Sequence, residues 1–305
     1  MSKILVTGSE GTIGRPLVRA LKKRKHEVWR CDLAHSCNDN YIRADVSKYR
    51  QLEHVFLNNE FDYVYHLAAE FGRINGEEYY ENLWTTNVIG TRNILEWQRK
   101  KGFKLIFTSS SEIYGGGHEG VLDEDLPLYK PLFQLNDYAT TKWVNELQIM
   151  NFENKYGNKC VRLRLFNTYG PGEFYHNYRS VICLFCYAAL FDVPYNVNRK
   201  GRRVFMYIDD LIPALATVCK EFNAGEVYNI GGQQYRSVEE ANEIVLNCLK
   251  KSSVNLVEYV DDDKFNVVNK RANIEKARRA FGYDPKTSLE VGIPKTIDWM
   301  REVYK

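Results

Sequence analysis

The chain has no uninterrupted apolar run approaching the roughly 20 residues needed to span a bilayer, and it shows no secretory leader pattern before its first strand. A protein of the cytoplasm with no membrane association is the expectation. It also lacks an excess of charge of one sign. Its 42 basic and 39 acidic residues leave a net charge of +3, too balanced for a nucleic-acid tail or patch. A disulfide framework is missing too, because the seven cysteines are odd in number and irregular in spacing. Cys183 and Cys186 form a lone CxxC inside an apolar helical run, with no second Cys/His pair to complete a metal site, so no metal is expected. Internal repeats, low-complexity stretches and long linkers are also absent.

What is present is a rhythm. Strands are expected at Lys3–Thr7, Glu27–Asp32, Ile42–Ala44, Tyr63–Leu67, Lys104–Ser109 and Cys160–Leu165. Helical patterns lie between them at Ile13–Lys25, Ser47–Asn59, Leu83–Lys101 and Asp137–Tyr156. Such alternation predicts an α/β fold, a Rossmann-type doubly wound parallel sheet. After Asn167 the rhythm breaks at the turn cluster Thr168-Tyr169-Gly170-Pro171-Gly172. Helices follow near Val181–Ala189, Val238–Lys250, Ile274–Ala280 and Leu289–Tyr304, and a strand at Val227–Ile230 is placed to rejoin the large sheet. The expected organisation is a dinucleotide domain over 1–168, rejoined near 202–232, and a smaller C-terminal α/β substrate domain over 169–305, with a cleft between them as the site.

Two motifs carry chemistry. Gly8, Gly11 and Gly14, with Thr12 and Ile13 between them, follow the first strand and open a helix. The first glycine permits the tight turn, the second lets backbone approach a pyrophosphate, and the third lets helix and strand pack closely. The spacing is GxxGxxG, and alone it fits a plain strand–turn–helix equally well. Asp32 adds a carboxylate at the end of the second strand, where it can accept from the adenosine ribose hydroxyls and repel a 2′-phosphate. NAD is therefore expected over NADP, although Arg30 and Arg43 lie nearby. Asp45, followed by Val46, can accept from the adenine amino group or cap the next helix. His66-Leu67-Ala68-Ala69 ends the fourth strand beside the cofactor path, with Leu67, Ala68 and Ala69 letting backbone lie against the dinucleotide and His66 read as a packed histidine.

The second motif is Tyr138-Ala139-Thr140-Thr141-Lys142. Hydride transfer from a secondary alcohol requires removal of the hydroxyl proton. A phenol can do this if a neighbouring ammonium and the nicotinamide's charge lower its pKa. Lys142 lies one turn after Tyr138. Strand five ends upstream in Thr108-Ser109-Ser110-Ser111-Glu112, where Ser110 can bond the same substrate oxygen.

With both motifs in place, the chain resembles the extended short-chain dehydrogenase/reductases that act on nucleotide sugars. The resemblance runs through GSEGTIG at 8–14, HLAA at 66–69, TNVIGT at 86–91, SSSEIYG at 109–115, YATTK at 138–142, RLFNTYGP at 164–171 and RRVFMYIDDL at 202–211. It implies Tyr138 as base, Lys142 as its partner and Ser110 in the Ser/Thr position. It further implies Asn87 on the cofactor side, Asn167 against the sugar diphosphate, and Arg203 and Arg271 as its counter-charges. Helices 83–101 and 137–156 would pair into a homodimer. The segment Glu70–Glu81 fits no family pattern and lies where the resemblance puts the sugar.

The reaction turns on Glu112. These enzymes oxidise the sugar at C4. A 4-epimerase then needs no further acid or base, a 4,6-dehydratase needs a base for the C5 proton and an acid for the C6 hydroxyl, and a decarboxylase needs a polar site for a C6 carboxylate. Glu112, two residues after Ser110 and so on its side of an extended segment, favours 4,6-dehydration of a nucleotide-diphosphate hexose. The Ser111–Glu112 pair resembles that of GDP-mannose 4,6-dehydratases and UDP-glucuronate decarboxylases. The Asp-Glu of dTDP-glucose 4,6-dehydratases is not matched, because Ser111 stands in place of the acid. Epimerisation, decarboxylation and a non-catalytic NAD or nucleotide-sugar sensor stay open at this point.

Overall fold

In the computed structural model, which describes residues 1–117, 120–261 and 267–305, the apolar run Ile4–Val6 lies in an interior strand of a seven-stranded sheet. Its elements are β1 (Lys3–Thr7), α1 (Gly14–Lys23), β2 (Glu27–Asp32), β3 (Tyr41–Arg43), α2 (Tyr49–Phe56), β4 (Tyr63–His66), α3 (Arg73–Glu78), α4 (Tyr80–Trp84), α5 (Gly90–Lys101), β5 (Lys104–Ser110), α6 (Asp137–Tyr156), β6 (Cys160–Leu165) and β7 (Val227–Ile230). The strand order is β7-β6-β5-β4-β1-β2-β3, and β1–β2, β1–β4, β2–β3 and β4–β5 pair in parallel. The order reverses direction next to β1, the switch point at which such sheets bind ligands.

Two compact units divide the chain. The first comprises Met1–Ile113, Asn136–Arg164 and Ile212–Tyr228; the second comprises Tyr114–Leu135, Leu165–Leu211 and Asn229–Lys305. In the first, Leu5, Leu52, Phe56, Val64, Ile94, Trp97, Leu105, Phe107 and Ile149 belong to one buried cluster. Stacking of Phe56 against Trp97 and Phe103 joins α2, α5 and the approach to β5. Fully burying a side chain of this size contributes about 1.5–3 kcal/mol. The second unit has its own cluster, including Tyr169, Ile182, Phe185, Tyr207, Val245, Ile293 and Ile297, and a four-stranded sheet that contains the strands Arg202–Val204 and Asn269–Ala272. Cys183 and Cys186 are buried free thiols in that unit's core. Among the described residues no helix is long and apolar enough to cross a membrane.

Three local expectations are corrected. The helix expected over Leu83–Lys101 is interrupted by a π-helical turn at Thr85–Ile89, which separates α4 from α5. Periodicity cannot reveal such an inserted residue, and π turns recur at functional sites. The third strand begins at Tyr41 and ends at Arg43, one residue early at each end. The third correction concerns Glu112. Extended geometry stops at Ser110, and Ser111–Tyr114 is a 3₁₀ turn, so strand alternation does not place Glu112 on the side of Ser110.

Candidate active site

The parallel register aligns the strand ends. Thr7 stands opposite Cys31 on β2 and His66 on β4, and His66 stands opposite Phe107 on β5. The segments that follow these strands are the glycine loop, Asp32, Leu67–Ala69 and Ser109–Glu112. All of them leave from one edge of one sheet.

The glycine loop has the shape a dinucleotide needs. Gly8 has φ of +69°, and a Cβ there would lie 2.7 Å from the backbone nitrogen of Ala68. A Cβ on Gly14 would lie 2.1 Å from the carbonyl oxygen of Gly8. Only glycine lets loop, helix and the Leu67–Ala69 segment approach this closely. No side chain caps the first turn of α1, so its N–H groups and dipole remain suited to an anion. Asp32 accepts from the Glu10 N–H at 2.8 Å and from the Ala34 N–H at 3.2 Å, and a carboxylate has further lone pairs for ribose hydroxyls. Asp45 accepts from the Ser47 N–H at 2.8 Å. This is a turn before α2, whose N-cap is Lys48, so Asp45 is not the N-cap. Val46 is buried and packs where α5 begins, 2.8 Å from a Cβ built on Gly90. His66 is buried between the hydroxyls of Thr7 (2.7 Å) and Thr91 (3.3 Å). Burial, with the Lys142 charge, pushes its pKa down to about 3, so it stays a neutral spacer.

Asn87, carried on the π turn, is fully engaged within the protein. Its Oδ1 accepts from the Glu70 N–H at 2.9 Å, while its Nδ2 donates to the Glu70 carbonyl and to Thr141 Oγ1, both at 3.0 Å. It ties the segment after β4 to the helix of Tyr138 and Lys142. That segment forms α3, with Asn75 Nδ2 donating to the Glu70 carboxylate at 3.0 Å.

α6 starts at Asp137, where Asn136 caps it by accepting from the Ala139 N–H at 2.9 Å. This fixes Tyr138 in the first turn, half-buried. Burial pushes its phenol up to about 12, a hydrogen bond with Ser110 pulls the other way, and the Glu112 charge raises it further. Both residues therefore act on the phenol, Ser110 through a hydrogen bond and Glu112 through its charge. Ser110 Oγ also accepts from the Glu112 N–H at 3.2 Å, and Ser111 is buried beside them.

Lys142 lies one turn further along α6. Its Nζ donates to the Thr108 carbonyl at 3.0 Å and lies 5.9 Å from the centre of the Tyr138 ring. Burial pushes it down to about 8, opposed by Glu146. In the protein's own field the ammonium thus faces the ring rather than bonding the phenolic oxygen.

Glu146 is a residue the sequence reading missed, although it sits one further turn along the face of Tyr138 and Lys142. Its carboxylate is buried, accepting from Ser109 Oγ at 2.6 Å and from Arg164 Nε and Nη2 at 3.0 and 2.8 Å. Burial opposes its charge, but Arg164, Ser109 and Arg162 hold the carboxyl below its ordinary range. Its contribution to stability is therefore complete above the usual carboxylate pKa and fades as pH falls through the lowered folded value. Glu146→Gln is expected to cost about 3–5 kcal/mol, because it strands the Arg164 charge in the core. Urea unfolding at neutral pH checks this, and an unchanged midpoint contradicts it.

The remaining residues implied for the substrate lie in the second unit. Asn167 has φ of +36° and donates to the Val204 carbonyl at 2.9 Å, next to Arg203. Arg203 is buried and stands in register with Lys270. Arg271 is exposed, its guanidinium 5.9 Å from the Tyr235 ring centre.

Comparison with known proteins gives these features a context. The model of the NAD dependent epimerase/dehydratase family matches residues 4–231. The chain is 30% identical to a UDP-N-acetyl-alpha-D-glucosaminuronate decarboxylase of Bacillus cytotoxicus, over 99% of this chain and 98% of that one. It is 30% identical to a probable dTDP-glucose 4,6-dehydratase of Sinorhizobium fredii, over 98% and 93%. Among solved structures, a Thermus thermophilus UDP-glucose 4-epimerase in complex with NAD superposes with a TM-score of 0.88 at 27% identity, covering 99% of both chains.

Proposed function

Since the chain belongs to the NAD dependent epimerase/dehydratase family, and NAD is accordingly its cofactor, we propose that it oxidises C4 of a nucleotide-diphosphate hexose and eliminates water across C5 and C6. NAD supplies the hydride acceptor for the first step and, once reduced, the hydride donor for the last. Tyr138 takes the C4 hydroxyl proton, Ser110 holds the oxygen it leaves, and Lys142 supplies positive charge at the ring face and anchors the helix to Thr108. The resulting ketone makes the C5 hydrogen acidic. Glu112 takes that proton and returns it to the C6 hydroxyl as it departs as water. Reduction at C6 then leaves C5 to collect a proton from solvent through Glu112, and the product is a 4-keto-6-deoxy sugar. In the second unit, Asn167, Arg203 and Arg271 are assigned to the sugar diphosphate, whose two negative charges call for arginine donors.

One observation supports the choice of reaction: Glu112 sits just past the end of β5 with its N–H donating to Ser110 Oγ at 3.2 Å, and its charge raises the Tyr138 phenol. A plain 4-epimerase has no use for a second acid/base group there. Decarboxylation of a nucleotide-linked uronate is the second reading, favoured by the 30% identity to a uronate decarboxylase along nearly the whole chain. Incubation with UDP-, GDP-, dTDP- and CDP-linked hexoses and uronates, followed by mass spectrometry, separates the two. A product lighter by water supports the proposal. One lighter by carbon dioxide supports decarboxylation, and an isomer of equal mass supports epimerisation. Binding without turnover would make the protein a sensor.

We further propose that the enzyme works as a cytoplasmic homodimer through the helical stretch 83–101 and α6. Ile89, Leu147 and Tyr156 leave apolar surface exposed at these helices. A monomer mass in light scattering at micromolar concentration would reject the dimer.

A further inference from the structure

Glu10 lies inside the glycine loop, in the turn that the Gly11 N–H closes onto the Gly8 carbonyl at 3.2 Å. Its N–H holds Asp32. Its carboxylate makes a close ion pair with Arg30 through Oε1, and Arg15 Nε lies 3.4 Å from its Oε2. Arg30 stands on β2 two residues before Asp32, hence on the same face of the strand. Its side chain is only 10% exposed, and its Nε is buried without a hydrogen-bond partner. The same neighbourhood acts on Tyr41. Burial first, then the charges of Asp32, Cys31 and Glu10, push its phenol up to about 12 against the opposing charge of Arg30.

This arrangement is costly unless it does something. A glutamate and an arginine are held nearly out of solvent beside the carboxylate that faces the ribose, where an apolar pair would serve packing as well. Arginine forks match phosphate oxygens bidentately. With Glu10 present the Arg30 charge is paired through Nη2, and a 2′-phosphate would meet two carboxylates. We propose that Glu10 is a second cofactor-selecting residue, occupying the Arg30 and Arg15 guanidinium groups that would otherwise pair with the 2′-phosphate of NADP. The inference rests on the cofactor reading and is independent of the sugar chemistry.

Calorimetric titration of the whole protein with NAD and with NADP tests it. Glu10→Gln should tighten NADP about tenfold, equivalent to about 1.4 kcal/mol, while leaving NAD affinity nearly as it was. Adding Arg30→Met to Glu10→Gln should abolish the gain, identifying the guanidinium as its source. Arg30→Met alone should not tighten NADP, because it leaves the Glu10 carboxylate in place without that counter-charge. If Glu10→Gln fails to fold, Glu10→Ser read by the same titrations decides in its place. Tight NAD binding with no change in NADP affinity, or an equal gain for both cofactors, would overturn the role of Glu10. Failure of the wild type to bind either nucleotide would instead overturn the cofactor reading itself.

Discussion

Tyr138→Phe is expected to lower turnover at least about a hundredfold, since acid/base groups of this kind contribute 10²–10⁴-fold. The change deletes one hydroxyl from a half-buried ring. It leaves the Asn136 cap and the backbone of α6 untouched, so folding and NAD affinity should stay close to those of the wild type. In the protein's own field the phenol is raised to about 12 by burial. The charge that lowers it must therefore arrive with the bound nicotinamide or come from Lys142 across the ring face. Because Lys142 is itself pushed down to about 8, its ammonium is lost as pH rises through that value. Activity should fall over the same range, and Lys142→Met should remove that limb of the profile. Steady-state rates with the substrate found by mass spectrometry provide the check. Retention of more than about a tenth of the wild-type rate by Tyr138→Phe would exclude it as the base.

Glu112→Gln should separate the two halves of the reaction. The amide keeps the size of the side chain but cannot accept the C5 proton. C4 oxidation should continue, and the reduced cofactor should accumulate as a new nicotinamide absorbance. The deoxy product should fall about 10²-fold or more. Because Glu112 raises Tyr138, removing its charge should also ease loss of the phenolic proton, so the oxidation half should not slow. Wild-type yield of the deoxy sugar from Glu112→Gln would place the C5 base elsewhere.

Most of the sheet was legible in the sequence because buried parallel strands read as apolar runs bounded by turn residues. β1, β2 and β6, together with α6, lie within the limits read from pattern alone. Gly8 and Gly14 were legible because close backbone approach leaves no other residue possible there. What could not be read was geometry set by contacts distant in sequence. The π turn depends on Asn87 reaching Glu70 and Thr141. The direction of Lys142 follows its bond to the Thr108 carbonyl, which no spacing on α6 reveals. Glu146 looked like an ordinary helix carboxylate until Arg164 and Ser109, from two other strands, closed around it. Strand alternation predicts Glu112 on the side of Ser110, but the chain leaves the strand for a 3₁₀ turn at Ser111–Tyr114. The charge of Glu112 reaches the Tyr138 phenol from that turn instead.

The account stands on a ketone at C4 that makes C5 acidic and on a carboxylate that exchanges the C5 proton with solvent. Running the reaction in deuterium oxide and locating the label by NMR tests both together. The predicted result is a 4-keto-6-deoxy product, lighter than its substrate by water before the label is counted, with deuterium at C5 and none delivered to C6 from solvent. An isomeric product with an unlabelled C5 would contradict the account and leave the chain a 4-epimerase.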